Sequence, residues 1–152
     1  REVQKKWFVR QLGLARELKK PVIIHSRDAA KDTVDLMKAE RASEIGGVVH
    51  CYSYTTQTAK QFLDMGFYFG IGGVLTFQNA RKLKEAAAYL PLDHIVLETD
   101  CPYLAPVPNR GNRNSSLYIP YVVTALAKLK GVEEYTVRQA DCENAHRLYR
   151  LV

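Results

Sequence analysis

Two histidines and an aspartate in this sequence have side chains that bind divalent metal ions. His25 and His50 each directly follow a short apolar run, and Asp100 comes three residues after the last apolar residue of another such run. Imidazole and carboxylate ligands together suit Zn, Mn, Fe or Ni, whereas Mg prefers oxygen ligands; the pattern does not decide among these five ions. We predict that the three residues form a metal site. The alternative is that each is an ordinary hydrogen-bonded residue at the end of a strand.

A glutamate lies next to this proposed ligand set. Glu98 and Asp100 are two residues apart, so on a strand their side chains point to the same face of the sheet. We predict that Asp100 holds metal and positions the attacking water, while Glu98 orients a neighbouring arginine. In the alternative interpretation, Glu98 is a buried structural carboxylate that is paired with arginine.

Three arginines follow the same apolar runs and could bind phosphate. Arg27 lies two residues after His25, and the loop 109–114 (Asn-Arg-Gly-Asn-Arg-Asn) contains Arg110 and Arg113. Two guanidinium groups and three amides around a flexible glycine could clamp a phosphate group. An ordinary polar surface loop could have the same composition, and both interpretations stay open.

These residues can meet only if a parallel sheet positions them. Short apolar runs that end near residues 25, 50, 71 and 98 alternate with helical patterns, at the spacing of successive βα units. Continuous apolar runs favour a parallel α/β sheet covered by helices, and residues 1–152 are predicted to form a single domain. The carboxyl ends of parallel strands share one edge, where the site should form. Helices are predicted over residues 1–19, 29–40, 55–65, 77–89, 116–130 and 133–150.

Other residues near the runs have less specific interpretations. Gly70, Gly72 and Gly73 either allow a ligand to approach the backbone or serve close packing. His94 and His146 fall outside the strand-end pattern and are predicted to lie on a loop and on a helix surface.

The composition is that of a globular protein with a net positive charge. Apolar residues make up 47% and charged residues 25% of the 152 residues, and the net charge is +6. The basic excess favours partners such as nucleic acid. Three cysteines without a C-x-x-C pair indicate a reducing compartment, hence a cytoplasmic location, and each is expected to be a small buried apolar residue. No apolar run is long enough for a membrane span.

Several segments resemble the signatures of the TatD family of metal-dependent DNases. They are Pro21–Ala29, Val48–Ser53, Leu97–Leu104, Asn109–Asn114 and Glu143–Ala145. The segments occur in the family's order and spacing, so the resemblance extends over essentially the whole chain.

This resemblance implies a fold, an activity and a set of site residues. The fold would be a TIM-like (β/α)8 barrel of the metal-dependent hydrolase superfamily, and the activity would be cleavage of phosphodiester bonds in DNA, with 3′-exonuclease character. His25 and His50 match metal-binding histidines, and Asp100 matches the ligand that also positions water. Two divalent ions would activate that water and stabilise the leaving oxygen, while Arg27 and Arg113 would offset phosphate charge.

The sequence also departs from the family pattern. The family's amino-terminal His-x-His pair and a ligand glutamate do not occur in it, so we expect this chain to supply about the second half of the barrel, with impaired activity. A half barrel would have two open sheet edges and exposed interior residues, so copies would pair or a missing amino-terminal half would complete it. Tyr54 stands where the family often has glycine, and Ser115-Ser116 replace a frequent Glu-Pro.

The sequence therefore predicts a divalent-metal-dependent phosphodiester hydrolase, specifically a deoxyribonuclease. Two alternatives stay open: a nucleic-acid-binding fragment without catalytic activity, and an amidohydrolase-type enzyme that acts on a small substrate.

Overall fold

A computed structural model describes residues 1–151 as an α/β fold with one four-stranded parallel sheet. The strands are β1 (Val22–Ile24), β2 (Gly47–Val49), β3 (Tyr68–Ile71) and β4 (Ile95–Leu97), and they pair in the order β1-β2-β3-β4. The helices are α1 (Glu2–Glu17), α2 (Ala30–Ala39), α3 (Thr56–Asp64), α4 (Arg81–Tyr89), α5 (Ile119–Lys130) and α6 (Glu134–Tyr149). The predicted parallel sheet with covering helices is confirmed.

Two helices begin later than the sequence predicts because short 3₁₀ turns precede them. Gly73–Thr76 forms such a turn, and Phe77 is extended, so α4 starts only at Arg81. A second turn at Ser116–Tyr118 precedes α5, and the Ser115 side chain accepts a hydrogen bond from the backbone of Leu117. Serine is a favoured residue for this capping role. The helix ends agree within a few residues.

The strand register brings the carboxyl ends of the four strands to a common edge. Ile24 is paired with Val49, and Ile71 with Leu97. The backbone N–H of His50 donates to the carbonyl of Ile24 at 2.9 Å, which extends the β1–β2 ladder to the first site residue.

The main core lies on one face of the sheet, under the helices. Alternate strand residues point to this face. The sheet contributes Ile24, Val49, Phe69, Ile71 and Ile95, and the helices contribute Leu12, Val34, Met37, Phe62, Leu83, Val122 and Leu126.

The opposite face of the sheet is only partly open. Val48 and Val96 point to this face and are 2% and 5% exposed, because Leu148 of α6 packs against them. Ile23 of β1 is 63% exposed on the same face. The expectation of exposed interior residues therefore fits Ile23 but is wrong for Val48 and Val96.

Side chains of α6 cap the free edge of β4. The N–H of Glu98 donates to Ile71 on β3, so the neighbouring backbone groups of β4 point away from β3. There the Leu97 N–H donates to Asp141 at 2.7 Å, and the amide of Asn144 donates to the Ile95 carbonyl at 2.6 Å. The prediction of two open edges is thus wrong for β4, and only the β1 edge is left uncapped within residues 1–151.

Helix α1 and the residue that follows it expose several large apolar side chains. Leu12 is the only buried residue of the helix. The side chains of Val3, Trp7, Leu14 and Leu18 are exposed instead. Only the side of α1 that carries Leu12 packs against the core. No helix within residues 1–151 has the length and apolarity to cross a membrane.

Candidate active site at the carboxyl edge of the sheet

His50 lies at the centre of the site, between two carboxylates. Its Nδ1 is 2.8 Å from Oε2 of Glu98, and its Nε2 is 2.9 Å from Oδ1 of Asp100. His50 directly follows β2 and the two acidic residues follow β4, so the contact crosses β3. The predicted convergence of His50 and Asp100 is present because both strands end at the same edge.

His25 lies beside this group at the end of β1. The centroids of its ring and the His50 ring are 6.0 Å apart, and the rings are tilted by 35°. The His25 side chain is exposed and forms no hydrogen bond with the rest of residues 1–151. His94 lies in a turn and stacks on Tyr68, and His146 lies on the surface of α6, as predicted.

Glu98 binds His50 and the protein backbone rather than an arginine. Its Oε1 accepts a hydrogen bond from the N–H of Cys51 at 2.6 Å. Both interpretations of Glu98 from the sequence placed an arginine beside it, and both were wrong about that partner. The carboxylate holds the histidine and the turn that follows it.

Gly70 of β3 makes room for the Glu98 side chain. A Cβ atom at Gly70 would overlap the Glu98 carboxylate. The glycines of this run therefore serve close packing: Gly73 likewise leaves no room for a Cβ against the Leu104 carbonyl. The glycines were visible in the sequence, but only the strand register shows that the Glu98 side chain occupies the space beside Gly70.

The backbone at Cys51 aims its N–H group at Glu98. Cys51 has a φ of 47°, a left-handed conformation that is uncommon for residues other than glycine. Such conformations concentrate at functional sites, where the surrounding contacts maintain them. The hydrogen bond from Cys51 to Glu98 is such a contact.

Burial and charge change the protonation of the site. Burial lowers the pKa of His50, but the hydrogen bonds and charges of Glu98 and Asp100 outweigh burial and raise it above 6.5. Burial raises the pKa of Glu98 above 4.5, although the bonds from His50 and Cys51 act in the opposite direction. The site therefore favours a proton on His50.

Cys51 does not supply a reactive thiolate. Burial and the nearby carboxylates raise the pKa of Cys51 to about 11, so its thiol keeps the proton at neutral pH. Cys101 and Cys142 are exposed, which contradicts the expectation that all three cysteines are buried. All three are free thiols.

Two donor atoms have the separation that one metal ion requires. Ligand atoms about 2.0–2.1 Å from an ion lie about 2.9–3.4 Å apart at right-angle to tetrahedral geometry. The distance from His50 Nε2 to Asp100 Oδ1 is 2.9 Å, so this pair fits a divalent ion. Within residues 1–151, no three histidine, cysteine, aspartate or glutamate side chains are arranged as a complete ligand set.

The predicted phosphate-binding arginines line two separate recesses. Arg27 and His25 line one of about 360 Å³ beside α1 and α2. Arg110 and Arg113 line the other, of about 450 Å³, in the loop after β4. None of the three arginines forms an ion pair within the described part of the chain. A single clamp that contains all three is therefore not observed.

Asn114 does not belong to a phosphate clamp. Its side chain is buried and donates to the Tyr103 carbonyl at 2.7 Å, and its backbone N–H donates to the Pro102 carbonyl at 2.9 Å. The residue fastens the loop 109–114 to the segment after Asp100. Arg110 stacks on Phe77, with its guanidinium carbon 3.9 Å from the ring centroid.

Tyr54 connects the loops that follow β1 and β2. Its hydroxyl is 2.8 Å from Oγ of Ser26 and accepts from the N–H of Ala29 at 3.3 Å. Ser26 is in turn 2.9 Å from Oγ1 of Thr33 on α2. Tyr54 thus fixes the turn beside His25, a role that the sequence pattern did not indicate because no spacing rule joins residues 26 and 54.

Comparisons with known proteins show one consistent family. The model of the TatD-related DNases matches residues 1–150. The chain is 43% identical over 148 residues to YcfH of Escherichia coli (strain K12), which is named an uncharacterized metal-dependent hydrolase. The aligned region covers 97% of this chain and 56% of YcfH. It is 34% identical over 149 residues to the protein of Rahnella sp. (strain Y9602) named 3′-5′ ssDNA/RNA exonuclease TatD, covering 95% and 57% of the two chains.

A solved structure has the same fold. The crystal structure of YjjV, a TatD homologue from Escherichia coli K12, matches with a TM-score of 0.87 and 31% identity over 93% of this chain and 54% of YjjV. The chain thus spans about half the length of the relatives it matches. The family match runs along nearly the whole chain, so it does not support the prediction that the chain corresponds to the carboxyl-terminal half only.

Proposed function

Because this chain belongs to the family of TatD-related DNases, we propose that its strand-end site hydrolyses phosphodiester bonds of DNA with the help of divalent metal ions. The observation that carries the proposal is the placement of His50 between Glu98 and Asp100, with His25 beside it. The exonuclease name of the Rahnella relative supports a nucleic-acid substrate and a 3′-exonuclease character.

Each residue of the site has a definite task in this proposal. A bound divalent ion would supply positive charge to the phosphate and lower the pKa of water. His50, Asp100 and His25 would hold such an ion, which can be Zn, Mn, Mg, Ni or Fe. Asp100 would also orient the attacking water through its carboxylate. Glu98 accepts a hydrogen bond from Nδ1 of His50 and would thus fix the orientation of the ring, as carboxylates commonly do for metal-binding histidines.

The free arginines would bind the negative charge of the substrate. Arg27 lies in the recess next to His25 and would contact the phosphate nearest the site. Arg110 and Arg113 lie in the other recess and would contact the strand farther from it. Guanidinium groups without acidic partners are available for phosphate, whose geometry they match.

The wider setting is also a proposal. The strands are parallel and follow each other in chain order, with the main core on one face of the sheet, an arrangement that supports membership of a TIM-like barrel. Strands from further polypeptide or from a second copy would then pair with the β1 edge. The three free cysteines support a cytoplasmic location.

Metal binding and DNA cleavage can be tested together. We expect the purified chain to bind Mn²⁺ or Zn²⁺ by calorimetry, and nucleotide release from single-stranded DNA to depend on that metal and stop with a chelator. Asp100→Asn should lower metal affinity by about 10-fold or more, since the charged ligand is lost. His146→Gln, on the surface of α6, is the matched control. A chain that binds no divalent ion would contradict the proposal.

A second candidate is a nucleic-acid-binding module without catalytic activity. The free Arg110 and Arg113 favour it, since they lie outside the metal site. Under this alternative, DNA binding would persist in chelator with a strong dependence on salt, and no cleavage would occur with any metal. Cleavage of amides alone would instead indicate an amidohydrolase-type enzyme, an outcome that these two arginines disfavour.

A further inference from the structure

The recess in the loop after β4 exposes an aromatic ring and a planar cation. Tyr103 is 73% exposed. Arg110 is exposed as well, and its guanidinium group lies over the buried ring of Phe77. Phe77 thus covers the inner face of the guanidinium group, while the outer face is free. We call this recess, defined by Phe77, Tyr103, Arg110 and Arg113, the stacking recess.

The stacking recess is positively charged. No aspartate or glutamate is among its lining residues, and neither of its arginines forms an ion pair within residues 1–151. Aromatic rings and stacked guanidinium groups next to unpaired positive charge are the surfaces on which proteins bind the bases of single-stranded nucleic acid. A phosphate alone would not require the exposed ring of Tyr103.

The loop that forms the recess is fixed before any ligand binds. Asn114 holds the Tyr103 carbonyl, and the hydroxyl of Thr76 accepts from the Val107 N–H at 2.8 Å. The Leu104 carbonyl packs against Gly73, where a side chain would not fit. A fixed loop loses little conformational entropy when a ligand binds.

The recess is next to the proposed catalytic residues. The N–H of Tyr103 donates to the carbonyl of Asp100 at 2.8 Å, which is the hydrogen bond of a tight turn. In such a turn the first and fourth Cα atoms are less than about 7 Å apart. The ring of Tyr103 therefore begins one turn away from the residue that would position water.

We propose that the stacking recess binds one unpaired nucleobase of the strand whose phosphodiester bond lies at His50 and Asp100. The base stacks against Tyr103 or the outer face of the Arg110 guanidinium group, and Arg113 contacts the adjoining phosphate. This inference rests on the proposed function for the position of the phosphate. It adds a base-binding subsite that would favour ends whose bases are unstacked.

Binding of base-containing and base-free strands separates this subsite from general attraction to phosphate. The complete chain is titrated, in chelator, against labelled oligothymidylate and against an abasic oligomer with the same phosphates, with fluorescence anisotropy as the readout. We expect Tyr103→Ala and Arg110→Lys each to weaken binding of oligothymidylate by about fivefold or more, since stacking contributes at least that factor. Binding of the abasic oligomer should change by less than about twofold.

Two variants serve as controls. Tyr135→Ala removes an equally exposed tyrosine from α6 and should change neither affinity. Tyr103→Phe keeps the ring and should bind oligothymidylate like the unmodified chain, so a loss limited to Tyr103→Ala is not due to the hydroxyl. Thermal unfolding curves of all variants establish that they fold.

Several results would overturn the subsite. Equal binding of both oligomers by the unmodified chain would do so, and so would equal losses for both in Tyr103→Ala. The proposed hydrolysis is tested separately. If no metal-dependent cleavage were found, a loss of oligothymidylate affinity in the variants, measured in chelator, would still support the subsite. Conversely, metal-dependent cleavage together with unaltered binding by both variants would reject the subsite alone.

Discussion

At the residue scale, the two hydrogen bonds of His50 determine its protonation. A neutral imidazole has one N–H donor, whereas both ring nitrogens of His50 face carboxylate oxygens. Both bonds form when the ring is protonated, in agreement with its raised pKa. A metal ion at Nε2 needs the lone pair of that nitrogen, so its binding must release the proton.

This competition would make the affinity of the proposed metal site depend on pH. The pKa of His50 in the folded chain is raised above 6.5. The protonated ring therefore stabilises the metal-free fold, fully so below pH 6.5. This stabilisation is lost as the pH rises through the raised pKa. Metal affinity should therefore increase with pH over the same window, by up to about tenfold per pH unit. Calorimetric titration with Mn²⁺ at several pH values measures it. An affinity independent of pH above 6.5 would contradict the protonated state of His50.

Gly70 gives a second expectation at this scale. Gly70→Ala should displace the Glu98 carboxylate, cost about 1–3 kcal/mol of unfolding free energy and weaken metal binding by about 10-fold or more. Gly13→Ala is the matched control: it lies within α1 with open space around it, and should stabilise the chain by about 0.5–1 kcal/mol. Denaturant unfolding gives both values. If the two variants unfolded alike, Gly70 would not be making room for Glu98.

At the element scale, α6 acts as the cover of β4. Asp141 accepts from Leu97, and Asn144 donates to the Ile95 carbonyl and to the Leu92 carbonyl at 2.9 Å. These side chains replace the hydrogen bonds that a neighbouring strand would form. Burial raises the pKa of Asp141, although the hydrogen bond from Leu97 acts in the opposite direction. The charged form of Asp141 is therefore less favourable in the folded chain than in the unfolded one.

Two substitutions at Asp141 separate the hydrogen bond from the charge. Asp141→Ala leaves the Leu97 N–H without its acceptor and should cost about 1–3 kcal/mol of unfolding free energy. Asp141→Asn keeps an acceptor oxygen and removes the charge, so its stability at neutral pH should equal or exceed that of the unmodified chain. Because the folded pKa is raised, the stability advantage of Asn over Asp should vanish as the pH falls and Asp141 gains its proton. Chemical denaturation at acidic and neutral pH tests this, and equal losses in both variants would contradict it.

How far the sequence predicts this structure depends on the element. The strand ends at His25 and His50 follow from local patterns, since apolar runs and helix periods are local properties. The partner of Glu98 does not, because the register across β2, β3 and β4 decides which group it meets. Likewise, the apolar residues of α1 predict a helix but not which of its sides packs, and Trp7 lies on an exposed side.

At the scale of the whole molecule, the apolar surface is uneven. The uncapped edge of β1, with Ile23 exposed, lies beside the helix whose Trp7, Leu14 and Leu18 side chains are also exposed. Water-exposed apolar area next to a free strand edge favours association.

We therefore expect copies of this chain to associate through the β1 side. Light scattering after size-exclusion chromatography should give a concentration-dependent mass above that of one chain. Leu14→Glu and Ile23→Lys should restore the single-chain mass, because charge on this surface opposes its burial. Leu117→Glu, at a more exposed apolar position in the 3₁₀ turn before α5, is the control and should not restore that mass. A single-chain mass at all concentrations would contradict this expectation.

The side chains that cap β4 then limit how many copies can join. A sheet with two unpaired edge strands can add further copies at both edges and so form a fibre. A sheet with one unpaired edge strand can bind only one other copy. When two such molecules pair through their free edges about a twofold axis, no unpaired edge is left to which a third copy could bind. Asp141 and Asn144 would thus do more than stabilise one helix: they would set the ceiling of assembly at a pair and oppose polymerisation.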